Sequence, residues 1–220
     1  MSGVVAIAGA GGGLGPSVIA RLDGPLAGAD VSAQRLSDGL DDARAVDLLD
    51  PAATTAWAND LEARFGEVRA LVHLVGGWRG GKPLGEADPS DWTVMEGLLI
   101  RSLQNTSRAF LDPLKRSGGR LVMISAAAAK RPTSSNAAYA AAKAAAEAWT
   151  LAVADEFTGT GATANILAVN AILTPEMRAA KPDAKFATFT RAEDIADGIA
   201  FLLSDAAAKM NGQRIALHPA

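Results

Sequence analysis

Residues 4–15 read V-V-A-I-A-G-A-G-G-G-L-G, an apolar run followed at once by glycines. Such a run predicts a buried strand, Val4–Ala8, that leads into a tight turn and a helix, as at the start of a parallel sheet. Glycines let the backbone take positive φ and let a ligand approach closely, and the N-terminus of the helix behind them favours a phosphate. The stretch therefore predicts nucleotide binding, with a flexible turn at the edge of an unrelated α/β domain as the alternative.

The spacing of the glycines differs from that of the general dinucleotide-binding pattern. Gly9, Gly13 and Gly15 form G-x-x-x-G-x-G, which is not the general dinucleotide pattern G-x-G-x-x-G, because Leu14 stands where the third glycine would be. Pro16 fits the first turn of the expected helix, where its missing N–H costs nothing.

Length and composition limit the class of protein. With 220 residues and 49% hydrophobic residues, we expect one domain over 1–220 with a sizeable core. The net charge is −3, with 21 Lys and Arg against 24 Asp and Glu, so no basic face for nucleic acid is expected.

There is no cysteine, which excludes disulfides and thiolate chemistry and fits a cytoplasmic protein. Only two histidines are present, so no metal site is expected. Neither a signal peptide nor a membrane span is expected.

Apolar runs alternate along the chain with helix-like stretches. This alternation predicts a single-domain, Rossmann-like α/β fold, a doubly wound parallel sheet flanked by helices. The helix over 91–115 is expected to begin with Asp91 as its N-cap. Strands are expected at 4–8, 31–35, 45–48, 71–75, 120–125, 164–169 and 214–217, and helices at 17–22, 52–65, 91–115, 137–157 and 191–203.

A second motif, Y-A-A-A-K, lies in an alanine-rich stretch with high helix propensity. Tyr139 and Lys143 are four residues apart, so on a helix they share one face. A nearby ammonium favours the phenolate and would lower the tyrosine pKa towards neutral pH, which suits acid–base work. The alternative is a chance Tyr/Lys pair on a surface helix.

Taken together, the two motifs resemble the short-chain dehydrogenase/reductase family, and the resemblance covers nearly the whole chain. Further matches are Asp47 in V-D-L-L-D, 73–76 at the place of the N-N-A-G motif, Ser125 at the end of the fifth strand, 167–177 after the sixth strand, and 211–217 as the closing turn and strand.

The resemblance implies hydride transfer between NAD(P)(H) and a small carbonyl or alcohol substrate. Tyr139 would exchange the proton on the substrate oxygen, Lys143 would assist it and hold the nicotinamide ribose, and Ser125 would orient the substrate. The cofactor-binding residues implied are Gly9, Gly13, Leu14, Gly15, Arg35, Asp47, Leu48, Gly76, Lys143, Ile172 and Thr174.

Several positions depart from the family pattern. Ala8 replaces the usual threonine, and no asparagine lies within 95–101, where a proton-relay residue is expected, whereas Asn105 comes later and is expected to face elsewhere. The Pro-Gly after the sixth strand has become Val169-Asn170.

The serine is displaced by one residue. Ser125 lies fourteen residues before Tyr139, one more than usual, which puts Ala126 in the catalytic register. A local adjustment in the loop over 126–132 would restore Ser125, and Ser134 or Ser135 would replace it only if the loop folds back.

His73 stands where the family has the first asparagine of N-N-A-G. A general base is one reading, but we favour a strand-end histidine with a structural hydrogen-bonding role.

Cofactor choice depends on the end of the second strand, where an acidic side chain would repel a 2′-phosphate. The candidates there are Gln34, Arg35 and Ser37, with Asp38 beyond. Because Arg35 can pair with a phosphate, NADP is favoured over NAD.

The substrate side is less defined. Trp78, Arg79 and Lys82 follow Gly77, and the segment over 177–189 is a candidate lid whose cations would attract an anionic substrate or form a solvated loop. The alanine-rich helix exposes many methyl groups, and by analogy with the family we expect a homodimer or homotetramer.

Two functions from different classes remain open. The first is an NAD(P)-dependent oxidoreductase. The second is a catalytically weak or inactive nucleotide-binding homologue that works as a redox sensor or assembly partner, which the missing asparagine and displaced serine favour.

Overall fold

The computed structural model describes residues 3–218, and these contain nine strands and eight α-helices. The strands are β1 (Val4–Ala8), β2 (Leu26–Asp30), β3 (Asp42–Ala45), β4 (Val68–His73), β5 (Arg120–Ala126), β6 (Thr163–Val169), β7 (Ala171–Leu173), β8 (Phe189–Arg191) and β9 (Arg214–Ala216). The helices are α1 (Gly15–Arg21), α2 (Pro51–Phe65), α3 (Ser90–Glu96), α4 (Ser102–Ala109), α5 (Leu111–Ser117), α6 (Ala137–Glu156), α7 (Pro175–Ala180) and α8 (Ala192–Leu203).

Seven strands form one parallel sheet in the order β3-β2-β1-β4-β5-β6-β9. The order reverses at β1, which pairs with β2 on one side and β4 on the other. In open α/β sheets a ligand crevice forms at this switch point, beyond the carboxyl ends of the strands. The Rossmann-like fold expected from the sequence is confirmed, and the glycine turn after β1 lies at the switch point.

Helices cover both faces of the sheet, and the side chains of β1 alternate between the two cores. Val4, Ala6 and Ala8 join the core with α2, α4, α5 and α6, where the Trp57 and Phe110 rings meet edge to face at 5.1 Å. Val5 and Ile7 join the core with α1 and α8. This full burial explains why β1 reads as a continuous apolar run.

The position of β2 corrects the sequence-based prediction. The strand is Leu26–Asp30, not 31–35, and the residues L-A-G-A-D are all buried. Gly28 fits tightly here, because a Cβ at this position would lie 2.5 Å from Leu40 Cδ1 and 3.0 Å from Ala10 Cβ. Arg35 therefore ends a short 3₁₀ turn after β2 and is not part of the strand.

Other boundaries also differ. β3 is Asp42–Ala45 instead of 45–48, and β4 begins at Val68. The helix expected over 91–115 begins at Ser90 without Asp91 as N-cap, contains a π turn at Gly97–Arg101, and is interrupted at Phe110. Pro113 has no N–H for the carbonyl four residues earlier, which explains the interruption.

The segment after β6 contains a feature that the sequence did not reveal. β7 and β8 pair in parallel as a small second sheet, with α7 between them. Thr174 is the N-cap of α7, and its Oγ1 accepts a hydrogen bond from the Met177 N–H (3.2 Å). This sheet holds Ile172 and Thr174 next to the switch point.

Candidate active site

The turn after β1 needs glycine for two steric reasons. Gly9 has φ +80°, and a Cβ there would lie 2.7 Å from the backbone N of Val75. A Cβ at Gly15 would lie 1.8 Å from the Ala10 carbonyl oxygen. Gly9 therefore lets the turn approach β4, and Gly15 lets α1 start directly against the turn.

A cleft of about 450 Å³ opens over this turn. Nine of the predicted cofactor-binding residues border it: Gly9, Gly13, Leu14, Arg35, Asp47, Leu48, Gly76, Ile172 and Thr174. Gly15 does not border the cleft and acts through packing, whereas Lys143 borders the neighbouring cavity. The glycine turn and the segment after β6 face each other here, since a Cβ at Gly13 would lie 3.1 Å from Thr174 Cγ2.

Sequence reasoning missed Asp30, the last residue of β2. Its side chain is nearly buried at the rim of the cleft and pairs with the Arg35 guanidinium at 3.2 Å. Gly11 leaves the room for this pair, because a Cβ there would lie 2.9 Å from Asp30 Oδ2 and 2.7 Å from Arg35 Cβ. The signal for Asp30 is an acidic residue at the end of a strand. The sequence-based prediction puts the second strand at 31–35, so Asp30 falls before that strand instead of at its end.

A second cavity, of about 250 Å³, contains the tyrosine and the lysine. Tyr139 and Lys143 enter it from α6, and Ile124 and Ser125 from β5. It shares six residues with the cleft, Leu14, Leu74, Val75, Gly76, Gly77 and Ile172, so the two spaces adjoin. The structure thus brings the two sequence motifs to neighbouring cavities at one edge of the sheet.

Burial sets the protonation of the pair. Lys143 is almost fully buried, and desolvation lowers its pKa to about 8, partly opposed by the charge of Glu147. Its Nζ donates a hydrogen bond to the Ile124 carbonyl oxygen (2.7 Å). Burial also raises the pKa of Tyr139, opposite to the lowering that the lysine was expected to cause. The tyrosine is therefore a protonated phenol at neutral pH.

Ser125 borders this cavity, but its hydroxyl is directed elsewhere. Its Oγ donates a hydrogen bond to Glu147 Oε1 (2.6 Å), and Ser125 is 1% exposed. Glu147 also accepts from Arg214 Nε at 2.9 and 3.0 Å, and Arg214 Nη2 donates to the Ala126 carbonyl oxygen (3.2 Å). The loop adjustment that would turn Ser125 to the substrate is absent, and the residue instead belongs to a buried network joining β5, α6 and β9.

The other serines of the loop lie away from the tyrosine. Ser134 and Ser135 border a separate cavity with Arg79 and Lys82, and the Ser135 carbonyl accepts from the Gly81 N–H (2.7 Å). The loop after Gly77 therefore packs against the loop before α6, and the fold-back arrangement of these serines is not formed.

His73 has the structural role that the sequence favoured. It is 2% exposed, with Nδ1 at 3.1 Å from Thr106 Oγ1 and Nε2 at 3.4 Å from Ser102 Oγ. Burial and the charge of Lys143 lower its pKa to about 3, so the ring is neutral and joins β4 to α4.

Asn105 also faces away from the cavity that contains Tyr139 and Lys143, as expected. Its Nδ2 donates to the Leu48 carbonyl oxygen (3.0 Å) and fixes that residue at the wall of the cleft. The lid segment is partly helical, and Arg178 lies over the Phe186 ring at 4.6 Å, so this cation is held within the segment.

The sequence is similar to those of known reductases. The family model described as enoyl-(acyl carrier protein) reductase matches residues 18–218. The chain is 28% identical over 179 residues to 3-oxoacyl-(acyl-carrier-protein) reductase FabG of Escherichia coli (strain K12), covering 77% of this chain and 73% of the relative. It is 26% identical over an alignment of 237 residues to acetoacetyl-CoA reductase of Allochromatium vinosum, covering 98% and 96% of the two chains.

Solved structures share the fold. A short-chain type dehydrogenase/reductase from Mycobacterium ulcerans superposes with a TM-score of 0.88 at 22% identity, over 99% of this chain and 90% of the other. ElxO with NADP bound has a TM-score of 0.86 at 19% identity, over 99% and 97%. Within residues 3–218, no helix is both long and apolar enough to cross a bilayer. The match over nearly the whole chain and the shared fold show that this protein belongs to the short-chain dehydrogenase/reductase family of oxidoreductases.

Proposed function

We propose that residues 1–220 form one dinucleotide-binding domain with its catalytic segment, and that it transfers hydride between a nicotinamide cofactor and a carbonyl or alcohol. The observation that carries this proposal is the placement of Tyr139 and Lys143 in a cavity that shares a wall with the glycine-turn cleft. A dinucleotide in the cleft would bring its reactive end to that shared wall. The family membership supports the same reaction class.

The cleft has the features that a dinucleotide needs. Gly9, Gly12 and Gly13 leave its floor without side chains, which suits the pyrophosphate, and Thr174 faces them from the opposite side. Asp47 and Leu48 lie along the wall for the adenine end, and Ile172 lies where the two cavities adjoin. When bound, the nicotinamide supplies or accepts the hydride.

Tyr139 is the proposed acid. Because burial raises its pKa, Oη keeps its proton at neutral pH and can give it to the substrate oxygen as the carbonyl is reduced. Lys143 has three N–H donors, one of which is used by the Ile124 carbonyl. The other two can hold the cofactor ribose, and the positive charge stabilises negative charge that develops on the oxygens nearby.

Replacement of Tyr139 by Phe tests this assignment. The variant is expected to lose turnover by about 10²-fold or more, since only the hydroxyl is removed. Binding of the reduced nicotinamide, followed by its fluorescence, is expected to remain. Full turnover in Tyr139→Phe would contradict the role of Tyr139 as the acid. If the unaltered chain bound no nicotinamide cofactor, the assignment of the cleft as the cofactor site would be wrong.

For the cofactor, we propose NAD instead of the NADP that the sequence favours. The acidic residue at the end of β2 is Asp30, which can accept from the ribose hydroxyls and would repel a 2′-phosphate. Arg35, the cation on which the NADP preference rested, is paired with this carboxylate. We therefore propose NAD(H) as the working cofactor.

This preference is measurable. Titration is expected to give tighter binding of NADH than of NADPH, and Asp30→Asn should reduce or reverse the difference because the repulsion is removed while Arg35 stays. Asp38→Asn, in the loop before β3, is the matched control. Tighter binding of NADPH by the unaltered chain would overturn the proposal.

The substrate class is a small carbonyl compound or the matching alcohol. The names of two relatives specify 3-oxoacyl and acetoacetyl thioesters, so such thioesters belong in the first substrate panel, together with simple ketones and aldehydes. Because burial raises the pKa of Tyr139, the phenol can serve as the proton donor at neutral pH, which suits the reduction of a carbonyl.

A nucleotide-binding sensor without turnover is the second candidate. Two observations favour it. The Ser125 hydroxyl is hydrogen-bonded to Glu147, and the stretch where the family has a relay asparagine contains the buried Leu99 instead. Cofactor binding without consumption of any panel substrate would support this candidate.

A further inference from the structure

Apart from the Tyr139 phenol, the cavity that contains Tyr139 and Lys143 lacks a free hydroxyl, but it has one free amide. Four residues with polar side chains border it, Ser125, Tyr139, Lys143 and Asn170. Ser125 donates to Glu147, and Lys143 is tied to a backbone carbonyl. Within residues 3–218 the side chain of Asn170 makes no hydrogen bond, and the residue is exposed. Asn170 is therefore the uncommitted polar group beside Tyr139.

The position of Asn170, directly after β6, also supports a role in this cavity. Val169, the residue before it, pairs with Ala126, the residue in the register where a serine is usual. Asn170 thus follows the neighbouring strand at the same edge, one residue beyond the place where the hydroxyl is lost. It also borders a further cavity of about 300 Å³, which contains Arg131, Asn136 and His218. Asn170 is the residue that the linings of these two cavities have in common.

We propose that Asn170 takes over the role of the missing hydroxyl and donates a side-chain N–H to the substrate oxygen that Tyr139 protonates. This inference rests on the proposed oxidoreductase function and adds a substrate-contacting residue to it. A donor aimed at an oxygen that gains negative charge during hydride transfer stabilises the transition state more than the ground state. The carbonyl oxygen would then be held by two groups, the Tyr139 phenol and the Asn170 amide.

The charge sign makes the aspartate variant informative. Asn170→Asp keeps the size of the side chain but replaces the amide donor by a carboxylate, which only accepts hydrogen bonds. It would repel the oxygen that the amide is proposed to stabilise. Asn170→Ser keeps a donor on a shorter side chain. Asn59→Asp, on the exposed face of α2, makes the same chemical change away from both cavities.

Turnover with the substrate panel is the first test. Asn170→Asp is expected to lower kcat/KM for carbonyl reduction by about 10²-fold, while NADH affinity stays unchanged. Asn170→Ser is expected to retain more activity than Asn170→Asp, and Asn59→Asp to match the unaltered chain. Equal kcat/KM in the unaltered chain and in Asn170→Asp would overturn the inference and leave the proposed function standing.

A second test needs no turnover. In the Tyr139→Phe protein saturated with NADH, the side-chain ¹⁵N–¹H signals of Asn170 are assigned by their absence in the additional Asn170→Asp variant. Addition of panel ketones or thioesters is expected to shift these signals. An unchanged spectrum at saturating carbonyl compound would overturn the role of Asn170. A protein that binds NADH but reduces no compound would contradict the proposed function, and the amide signals would still decide this inference.

Discussion

At the scale of single residues, the protonation of Lys143 depends on a balance between burial and one neighbour. Burial lowers its pKa to about 8, and the Glu147 charge, one helical turn further along α6, raises it. Glu147 is held in place by Ser125 and Arg214. Ser125 therefore helps to fix the carboxylate whose charge raises the pKa of Lys143.

The pH dependence of activity should show this balance. Because the proposed mechanism needs Lys143 in its charged form, kcat/KM is expected to fall as the pH rises through about 8. Tyr139 has a raised pKa and keeps its proton over that range. Glu147→Gln removes the charge that supports the ammonium, so the fall is expected at lower pH.

Glu156→Gln is the matched control, since Glu156 lies on the same helix but pairs with Lys115 at the surface. Thermal midpoints of both variants separate a loss of folding from a shift of the profile. A profile that stays in place in Glu147→Gln would show that Glu147 has no electrostatic effect on the lysine.

Sequence reasoning reached the two motifs but not their surroundings. The spacing of Tyr139 and Lys143 predicted a shared helix face because four residues make about one turn, and the structure has them in one cavity. The predicted lowering of the Tyr139 pKa was wrong, because burial raises it and burial depends on residues distant in sequence. The one-residue offset of Ser125 pointed to its loss, but its partner Glu147 is 22 residues away.

At the scale of elements, glycine decides how closely α1 approaches the turn. Gly15→Ala places a Cβ 1.8 Å from the Ala10 carbonyl oxygen, so the helix start must move. We expect the free energy of unfolding to fall by about 1–3 kcal/mol and NADH affinity to fall with it.

The control is Gly85→Ala, where no atom lies within 4 Å of the added Cβ. This exposed substitution is expected to change stability by less than about 0.5 kcal/mol. Denaturant unfolding and cofactor titration measure both quantities. A Gly15→Ala protein as stable as Gly85→Ala would contradict the packing argument.

The misplacement of β2 has a physical reason at this scale. L-A-G-A-D contains small residues next to Gly24 and Pro25, a composition that predicts a turn. In the fold Gly28 lies where Leu40 and Ala10 pack closely over the strand. The pattern of a single sequence does not contain that contact. Because β2 was predicted at 31–35, Asp30 was not considered as the acidic residue that decides between NAD and NADP.

At the scale of the whole molecule, α6 leaves an apolar face uncovered. Ala141, Ala144, Ala148 and Leu151 are exposed along it, while the opposite face carries Lys143 and Glu147 into the core. We propose that this face pairs with a second copy in a homodimer or homotetramer, as the family analogy suggests.

Analytical ultracentrifugation checks the assembly. The unaltered chain is expected to sediment as a dimer or tetramer, and Ala148→Arg to shift it towards the monomer, because a charge would be buried at the interface. Ala63→Arg, exposed on α2, is the control. A monomeric unaltered chain at high concentration would contradict the proposal.

The ion pair between Glu147 and Arg214 has a consequence for the order of events during synthesis. Glu147 leaves the ribosome 67 residues before its partner, so in the growing chain its carboxylate does not yet have the Arg214 guanidinium beside it. Burying it at that stage is costly, and the nascent protein is therefore disfavoured from closing its interior around α6 too early. Docking of β9 completes the pair and, with it, the electrostatic setting of Lys143. On the proposed mechanism, the charge of Lys143 is therefore set only once β9 has joined the sheet.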